Sequence, residues 1–161
     1  MLDKFRIITD QGNWLNEAKD LLEKKDFPPE FIEDFNTYWI EGGHRIREQL
    51  KDDAMLTKLL RAILPAYSGD KLKLYRGENI DRWEQNSIGL CWTSSIDKAR
   101  MFGQGLNSIK KGGMLLSCVC EPQWIISKPN DHSIYLGEYQ YTVDPFMLTG
   151  LEILERYTPH G

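Results

Sequence analysis

A change of pattern at Pro65 constrains the fold of this chain more than any other feature of its sequence. Before Pro65 the apolar residues recur at helical spacing, and after it they fall in short runs rich in β-branched and aromatic residues. Helices followed by strands predict an α+β fold with an antiparallel or mixed sheet. Among the strands only Ser95–Phe102 has a helical pattern, with Ser95 as its cap. The predicted strands are Leu72–Tyr75, Leu90–Thr93, Met114–Cys120, Trp124–Ser127, Tyr139–Val143 and Leu151–Tyr157.

The part of the chain before Pro65 is predicted to form several helices. An apolar stripe from Trp14 to Leu22 indicates one helix, which Asn13 is placed to cap. Pro28 and Pro29 suit the first turn of a second helix, and the pair Gly42-Gly43 is expected to interrupt it. The remaining helices are predicted over His44–Leu50 and Ala54–Leu64.

Length, charge and cysteine content narrow the class of protein. A chain of 161 residues with 41% hydrophobic residues predicts a single domain, in which 1–65 form a helical segment and 66–161 a β-rich core. The net charge of -4 argues against a nucleic-acid partner, which requires a basic surface. There is no apolar run of membrane-spanning length, no signal-peptide core and no zinc-like cysteine spacing. We therefore expect a cytoplasmic protein that needs no metal and binds no membrane.

The first motif whose residues could bind a ligand is Arg76-Gly77, at the end of the first predicted strand. A guanidinium at a strand end can present its planar fork to a phosphate, and a following glycine lets a ligand approach the backbone. The alternative is a surface arginine that pairs with Glu78.

The second motif is "GLCWTSS", in which hydroxyl groups follow a short strand and precede a helix. Thr93, Ser94 and Ser95 bring several short hydrogen-bonding groups to one place. The alternative is an ordinary helix cap formed by Ser94 or Ser95.

The third motif is "YLGEYQYTVDP", which contains Glu138 and Gln140 two residues apart. In a strand both side chains would project from one face, while Tyr139 and Tyr141 would project from the other. A carboxylate beside a carboxamide can hold a sugar diol, and the carboxylate can stabilise a sugar cation. The alternative is the exposed polar face of an edge strand.

Taken together and in this order, the three motifs resemble the ADP-ribosyltransferase family. The similarity is to the class marked by an arginine, a Ser-Thr-Ser-like motif and a Glu-x-Glu or Gln-x-Glu pair. It is closest to bacterial and phage members with "YRG", then "SWT" with a helix containing "A..F", then "E.EY.VDP". The corresponding residues here are Tyr75-Arg76-Gly77, Cys91-Trp92-Thr93 with Ala99 and Phe102, and Glu138 to Pro145. The resemblance spans roughly 72–145 and implies a split, mostly antiparallel sheet after an N-terminal helical segment.

The resemblance also implies roles for individual residues in binding NAD. Arg76 would hold the diphosphate with Gly77 beside it, and Thr93 and Ser94 would brace the site. Phe102 or Trp92 would pack on the nicotinamide, although each residue type is more often part of an ordinary core.

Catalysis in the family depends on a glutamate that contacts the nicotinamide ribose, and here Glu138 and Gln140 would face that sugar. This chain departs from the pattern twice, with Cys91 in place of the serine and Gln140 in place of the usual catalytic glutamate. A carboxamide cannot supply the negative charge that stabilises an oxocarbenium ion.

The expected function is transfer of ADP-ribose from NAD, as substrate, to a side chain of an acceptor protein. The loop over 128–137 is expected to contact that acceptor. One alternative is a degenerate, non-catalytic module of the same fold that binds NAD or a protein. Others are an enzyme that processes NAD or ADP-ribose, such as a glycohydrolase or an RNA 2'-phosphotransferase, and an unrelated α+β domain.

Overall fold

A computed structural model describes residues 2–105 and 111–159 of the chain. The fold is α+β, with helices in the N-terminal part and an antiparallel sheet after them, as the change of pattern at Pro65 predicts. Contacts divide the chain into two compact units, Met1–Ala66 and Tyr67–Gly161. Within the described residues, no helix is both long enough and apolar enough to cross a membrane.

The first unit is helical. Asp52 caps its last helix, because its carboxylate accepts a hydrogen bond from the Met55 backbone amide at 3.0 Å. Asn13 stands at the predicted N-cap position of the second helix, but its side-chain oxygen accepts from the side chain of Asn16 and not from a backbone amide. Phe5, Trp14 and Phe35 are buried in an aromatic core. The helices are α1 (Leu2–Asp10), α2 (Trp14–Glu23), α3 (Pro29–Leu50) and α4 (Asp53–Ile63).

The predicted break at Gly42-Gly43 is wrong, because α3 runs through both glycines without interruption. An added Cβ would lie 2.9 Å from the Tyr38 ring at Gly42 and 2.6 Å from the Trp39 ring at Gly43. The glycines thus make room for two rings of the preceding turn. Burial of those aromatic rings offsets the helix-propensity cost of about 1 kcal/mol per glycine. His44–Leu50 is therefore the end of α3 and no separate helix.

The second unit contains, within its described residues, one six-stranded sheet in the order β4-β5-β2-β1-β3-β6, with antiparallel neighbours throughout. Strand β1 pairs with β3 along its whole length, but it pairs with β2 only at Tyr75 and Thr93. The sheet thus has a β1 half (β1, β3 and β6) and a β5 half (β2, β5 and β4). We call the junction of β1 and β2 the seam. The strands are β1 (Leu72–Asn79), β2 (Cys91–Thr93), β3 (Gly113–Cys120), β4 (Ile125–Ser127), β5 (Gln140–Val143) and β6 (Glu152–Tyr157).

The predicted helix after β2 is present as α6 (Ile96–Gln104), and the Ser95 hydroxyl caps it by accepting from the Lys98 amide at 3.3 Å. Two five-residue helices, α5 (Ile80–Glu84) and α7 (Asp131–Tyr135), were not predicted from the sequence. They are too short to show an apolar stripe, and asparagine side chains cap both. Helix α7 occupies the middle of the segment that was expected to be a loop.

The two faces of the sheet are covered differently. One face carries a buried apolar cluster that includes Leu74, Trp92 and Leu116. Helix α6 crosses the other face at Gly77, where an added Cβ would collide with the Ala99 carbonyl oxygen and the Gly103 amide nitrogen. Gly77 therefore permits close packing of α6 on β1. The α6 backbone fills the space in which a ligand was expected to approach Gly77.

Candidate active site

Three residues predicted to lie near one site stand side by side across the seam. Tyr75 of β1 is opposite Thr93 of β2, and Thr93 is opposite Gln140 of β5. Directly opposed residues of antiparallel strands project from the same face of a sheet. Tyr75, Thr93 and Gln140 therefore form a row on the α6 face of the sheet, which we call the cross-strand row.

Arg76 does not join this row. The predicted adjacency of its strand to β2 is confirmed, but Arg76 follows Tyr75 in β1 and so projects from the opposite face. The expectation that Arg76 and Thr93 face one cleft is wrong for this reason. The Arg76 side chain is only 12% exposed, and its Nε donates to Glu78 Oε2 while its Nη1 donates to the Cys91 carbonyl oxygen, both at 2.7 Å.

Glu78, which the sequence motifs did not select, holds Arg76 in place. Its fully buried carboxylate also accepts hydrogen bonds from the backbone amides of Asn79 and Gly89, each at 2.8 Å. Burial acts to raise the pKa of Glu78, but the charge and hydrogen bond of Arg76 and the two amides outweigh it and lower that pKa below its usual value. The pairing of Arg76 with Glu78 was foreseen as an alternative, but the pair is buried and does not lie on the surface.

The arginine–glutamate pair connects the two halves of the sheet where backbone pairing stops. Glu78 lies in β1 and binds the Gly89 amide, and Arg76 lies in β1 and binds the first residue of β2. Gly89 has no side chain because an added Cβ would collide with the Arg76 guanidinium. Side chains thus replace backbone hydrogen bonds on this side of the seam. The signal available in the sequence was Glu78 two residues after Arg76, on the same face of the strand.

Thr93 ties β2 to the segment before β5. Its hydroxyl is buried, donates to the Glu138 carbonyl oxygen at 2.8 Å and accepts from the Ser95 amide at 3.0 Å. Ser94 is exposed, while Ser95 serves as the helix cap. Of the "GLCWTSS" hydroxyls, Thr93 is therefore the one that contacts the third motif.

The other residues predicted to contact NAD are Trp92, Phe102 and Cys91. Trp92 is 1% exposed in the apolar cluster and donates from Nε1 to the Gly89 carbonyl oxygen, which matches the ordinary core alternative. Phe102 is half-buried in α6, and Cys91 is half-buried at the start of β2.

Glu138 and Gln140 are two residues apart, but strand alternation does not determine the relative direction of their side chains. Strand β5 begins at Gln140, and Tyr139 has a left-handed backbone with φ of 48°. The argument that both side chains share one face of a strand is therefore wrong for Glu138. Within the described part of the chain, the half-buried Glu138 carboxylate has no hydrogen-bond or ion-pair partner. The buried Nε2 of Gln140 is also unpartnered there.

The described ranges contain no group of three or more His, Cys, Asp or Glu side chains placed to hold a metal ion. The polar groups of the candidate site are instead the Glu138 carboxylate, the Gln140 carboxamide and the Thr93 hydroxyl. This set can bind a polar organic ligand through hydrogen bonds and charge.

Comparison with known proteins adds no assignment: no family model matches the sequence, and no match is found among curated proteins or solved structures.

Proposed function

We propose that this chain is a mono-ADP-ribosyltransferase that transfers ADP-ribose from NAD to a side chain of an acceptor protein. The observation that carries the proposal is Glu138, a half-buried carboxylate without a protein partner in the described residues, tied to Thr93 beside the cross-strand row. A carboxylate that makes no ion pair of its own can direct its charge at a ligand.

The proposed reaction breaks the bond between the nicotinamide nitrogen and the ribose anomeric carbon. The bonding electrons leave with nicotinamide, which becomes neutral, and positive charge develops on the ribose. Glu138 stabilises this charge as a prepositioned anion, which is a major source of rate enhancement in enzymes. The acceptor side chain then bonds to the anomeric carbon and releases a proton to solvent.

Thr93 and Gln140 have supporting tasks in this proposal. Thr93 fixes the backbone of Glu138 through its hydrogen bond to the carbonyl oxygen. In this proposal the Gln140 Nε2, which is buried and has no hydrogen-bond partner in the described residues, donates to a ribose hydroxyl when NAD binds.

Arg76 has a structural role that separates it from the proposed site. A guanidinium has five N–H donors, and contacts to Glu78 and Cys91 use Nε and one N–H of Nη1. Because Arg76 projects from the face opposite the cross-strand row, it does not contact NAD in this proposal, and its removal would leave the buried Glu78 without its counter-ion. An Arg76→Ala variant therefore cannot separate a binding defect from a folding defect, so the decisive variants lie at Glu138.

The second candidate is a non-catalytic NAD-binding module of the same fold. The observation that favours it is Gln140, which occupies the paired position next to Thr93 with a neutral side chain. Binding requires no anion at that position, whereas efficient cleavage of the glycosidic bond does.

The experiment compares NAD binding with NAD cleavage in the parent, Glu138→Gln and Glu121→Gln. Glu121 is a matched control because it is also half-buried in the second unit and its carboxylate has no partner among the described residues. Calorimetry measures NAD affinity, and release of nicotinamide measures cleavage. We expect the parent and Glu121→Gln to cleave NAD, and Glu138→Gln to bind it normally and cleave it at least about a hundredfold more slowly.

Three outcomes would decide against the transferase. Cleavage by Glu138→Gln at the parent rate would exclude Glu138 as the stabilising anion. Binding of NAD by the parent without any cleavage would favour the binding module, and absence of binding would refute both candidates. In the transferase, Gln140→Glu is expected to raise the cleavage rate, because it adds a second anion beside the ribose.

A further inference from the structure

We infer that Ser133 is a positioning residue that holds the Glu138–Gln140 turn and so sets the direction of the Glu138 carboxylate. This inference rests on the proposed function for its catalytic consequence. Ser133 lies in α7, is fully buried and belongs to none of the three sequence motifs.

Two hydrogen bonds from the turn converge on Ser133. The Glu138 amide donates to the Ser133 carbonyl oxygen at 3.0 Å, and the Gln140 amide donates to the Ser133 hydroxyl oxygen at 2.8 Å. Thr93 holds the same turn from the other side, through the Glu138 carbonyl oxygen. The backbone on both sides of Tyr139 is therefore fixed by two hydroxyl-bearing residues.

The conformation of Tyr139 explains why such fixing is needed. Its φ of 48° lies in the left-handed region, where residues with a side chain are uncommon. A backbone in a sparsely populated region persists only where its surroundings impose it. The hydrogen bonds to Ser133 and Thr93 are the polar contacts that impose it here.

The direction of the Glu138 carboxylate depends on this backbone more than is usual for a side chain. Within the described residues no side chain binds the carboxylate, so its position follows from the backbone of the turn and from packing. Ser133 is itself fixed, because its amide donates to the Asn130 side chain at 2.9 Å as part of the α7 cap. A chain of contacts thus runs from the α7 cap through Ser133 to Glu138.

The test compares the parent with Ser133→Ala, which removes the hydroxyl. Ser127→Ala is the matched control, because Ser127 is also a buried serine of this unit but its hydroxyl donates to the Lys128 carbonyl oxygen and not to the turn. Ser133→Cys keeps a side chain of similar volume with a weak acceptor, and it serves if the alanine variant does not fold.

The first readout, amide hydrogen exchange followed by NMR, does not depend on activity. We expect the Gln140 amide to exchange roughly five- to tenfold faster in the Ser133 variants than in the parent, the factor expected for one hydrogen bond. Ser127→Ala should leave this amide unchanged. Parent-like protection of the Gln140 amide in the Ser133 variants would overturn the inference, whether or not the protein cleaves NAD.

The second readout is NAD cleavage. The Ser133 variants should lower kcat roughly ten- to a hundredfold and change KM much less, because the displaced carboxylate acts in the transition state and Gln140 is the other proposed NAD contact on this turn. An equal fall in the Ser127→Ala control, or a change in KM alone, would overturn the positioning role. A parent that binds NAD without cleaving it would refute the proposed function, and the exchange measurement would still decide whether Ser133 holds the turn.

Discussion

Replacement of Glu78 by glutamine should destabilise the second unit strongly, although it changes only one atom. In the parent, Oε1 accepts from the Asn79 amide, and Oε2 accepts from the Gly89 amide and from Arg76 Nε. A glutamine has one oxygen and one NH2 group for these two positions. In either orientation of the glutamine amide, its NH2 group faces at least one N–H donor of the protein. Arg76 also loses its counter-charge.

The magnitude follows from the burial of this pair. A buried donor without an acceptor costs about 1–3 kcal/mol, and breaking a buried ion pair costs about 3–5 kcal/mol. Arg82 approaches Glu78 at 3.7 Å but is 47% exposed, so its share is small. We therefore expect Glu78→Gln to lower the free energy of unfolding by about 3 kcal/mol or more at pH 7.

Urea unfolding, followed by circular dichroism and tryptophan fluorescence, measures this loss. The matched control is Glu84→Gln, which breaks an ion pair with Lys111 of the same 2.7 Å length between two exposed side chains. This control should leave stability nearly unchanged. If Glu78→Gln costs no more than Glu84→Gln, the conclusion that the Arg76–Glu78 pair holds the seam is refuted.

The pH dependence provides an independent check on the same pair. The pKa of Glu78 is lower in the folded chain than its usual value of 4.5, so the unfolded chain binds more protons as the pH falls. The stability that Glu78 contributes is therefore fully present above about pH 5 and is lost as the pH falls through the folded pKa. The difference between the parent and Glu78→Gln should shrink below about pH 4.5, and a constant difference down to acid unfolding would contradict the assignment.

Three further predictions test other features. Gly77→Ala should destabilise the second unit by roughly 3 kcal/mol in urea unfolding, because the added Cβ collides with the α6 backbone. The control Gly150→Ala has open space around the added Cβ and should cost only the roughly 1–2 kcal/mol that follows from its positive φ. Lys51→Gly should raise the stability of the first unit by about 0.5–1 kcal/mol, since Lys51 ends α3 with a left-handed φ of 51°; a loss in thermal unfolding would contradict this. Tyr135→Ser, at a side chain 85% exposed beside the candidate site, should weaken labelling of an acceptor protein and leave NAD affinity unchanged, and an equal fall in both would remove the loop from acceptor recognition.

The strands were predictable because their cause is local. Five of the six predicted runs match an observed strand to within one residue, since β-branched and aromatic residues bounded by polar ones specify strands directly. The first run was predicted too short: β1 continues to Asn79, so Arg76 and Gly77 lie inside the strand and not at its end. Gly42 and Gly43 were misread for the opposite reason. Their effect depends on Tyr38 and Trp39 one turn earlier, and a local rule about glycine does not include that packing.

The candidate site was only partly predictable, because the direction of its side chains depends on packing that local sequence rules do not include. The motifs identified Arg76, Thr93 and Glu138, but the face from which each side chain projects depends on strand register and on where β5 begins. The left-handed Tyr139 removes the alternation on which the relation of Glu138 to Gln140 relied. The role of Gly89 beside Arg76 and that of Ser133 beside Gln140 were missed, because each depends on a tertiary contact that the sequence pattern does not show.

In the described strands, only one pair of backbone residues joins the β1 half and the β5 half of the sheet, but the chain alternates between the two halves. The chain passes from the β1 half to the β5 half and back, because β1, β3 and β6 belong to one half and β2, β4 and β5 to the other. No single cut of the backbone releases one complete half, since neither half is a contiguous piece of the chain. Neither half can therefore be made as an uninterrupted fragment, and assembly of the sheet requires loop closures between strands distant in sequence, which slow folding. Cohesion across the seam thus comes from the order of the strands as well as from the contacts between them.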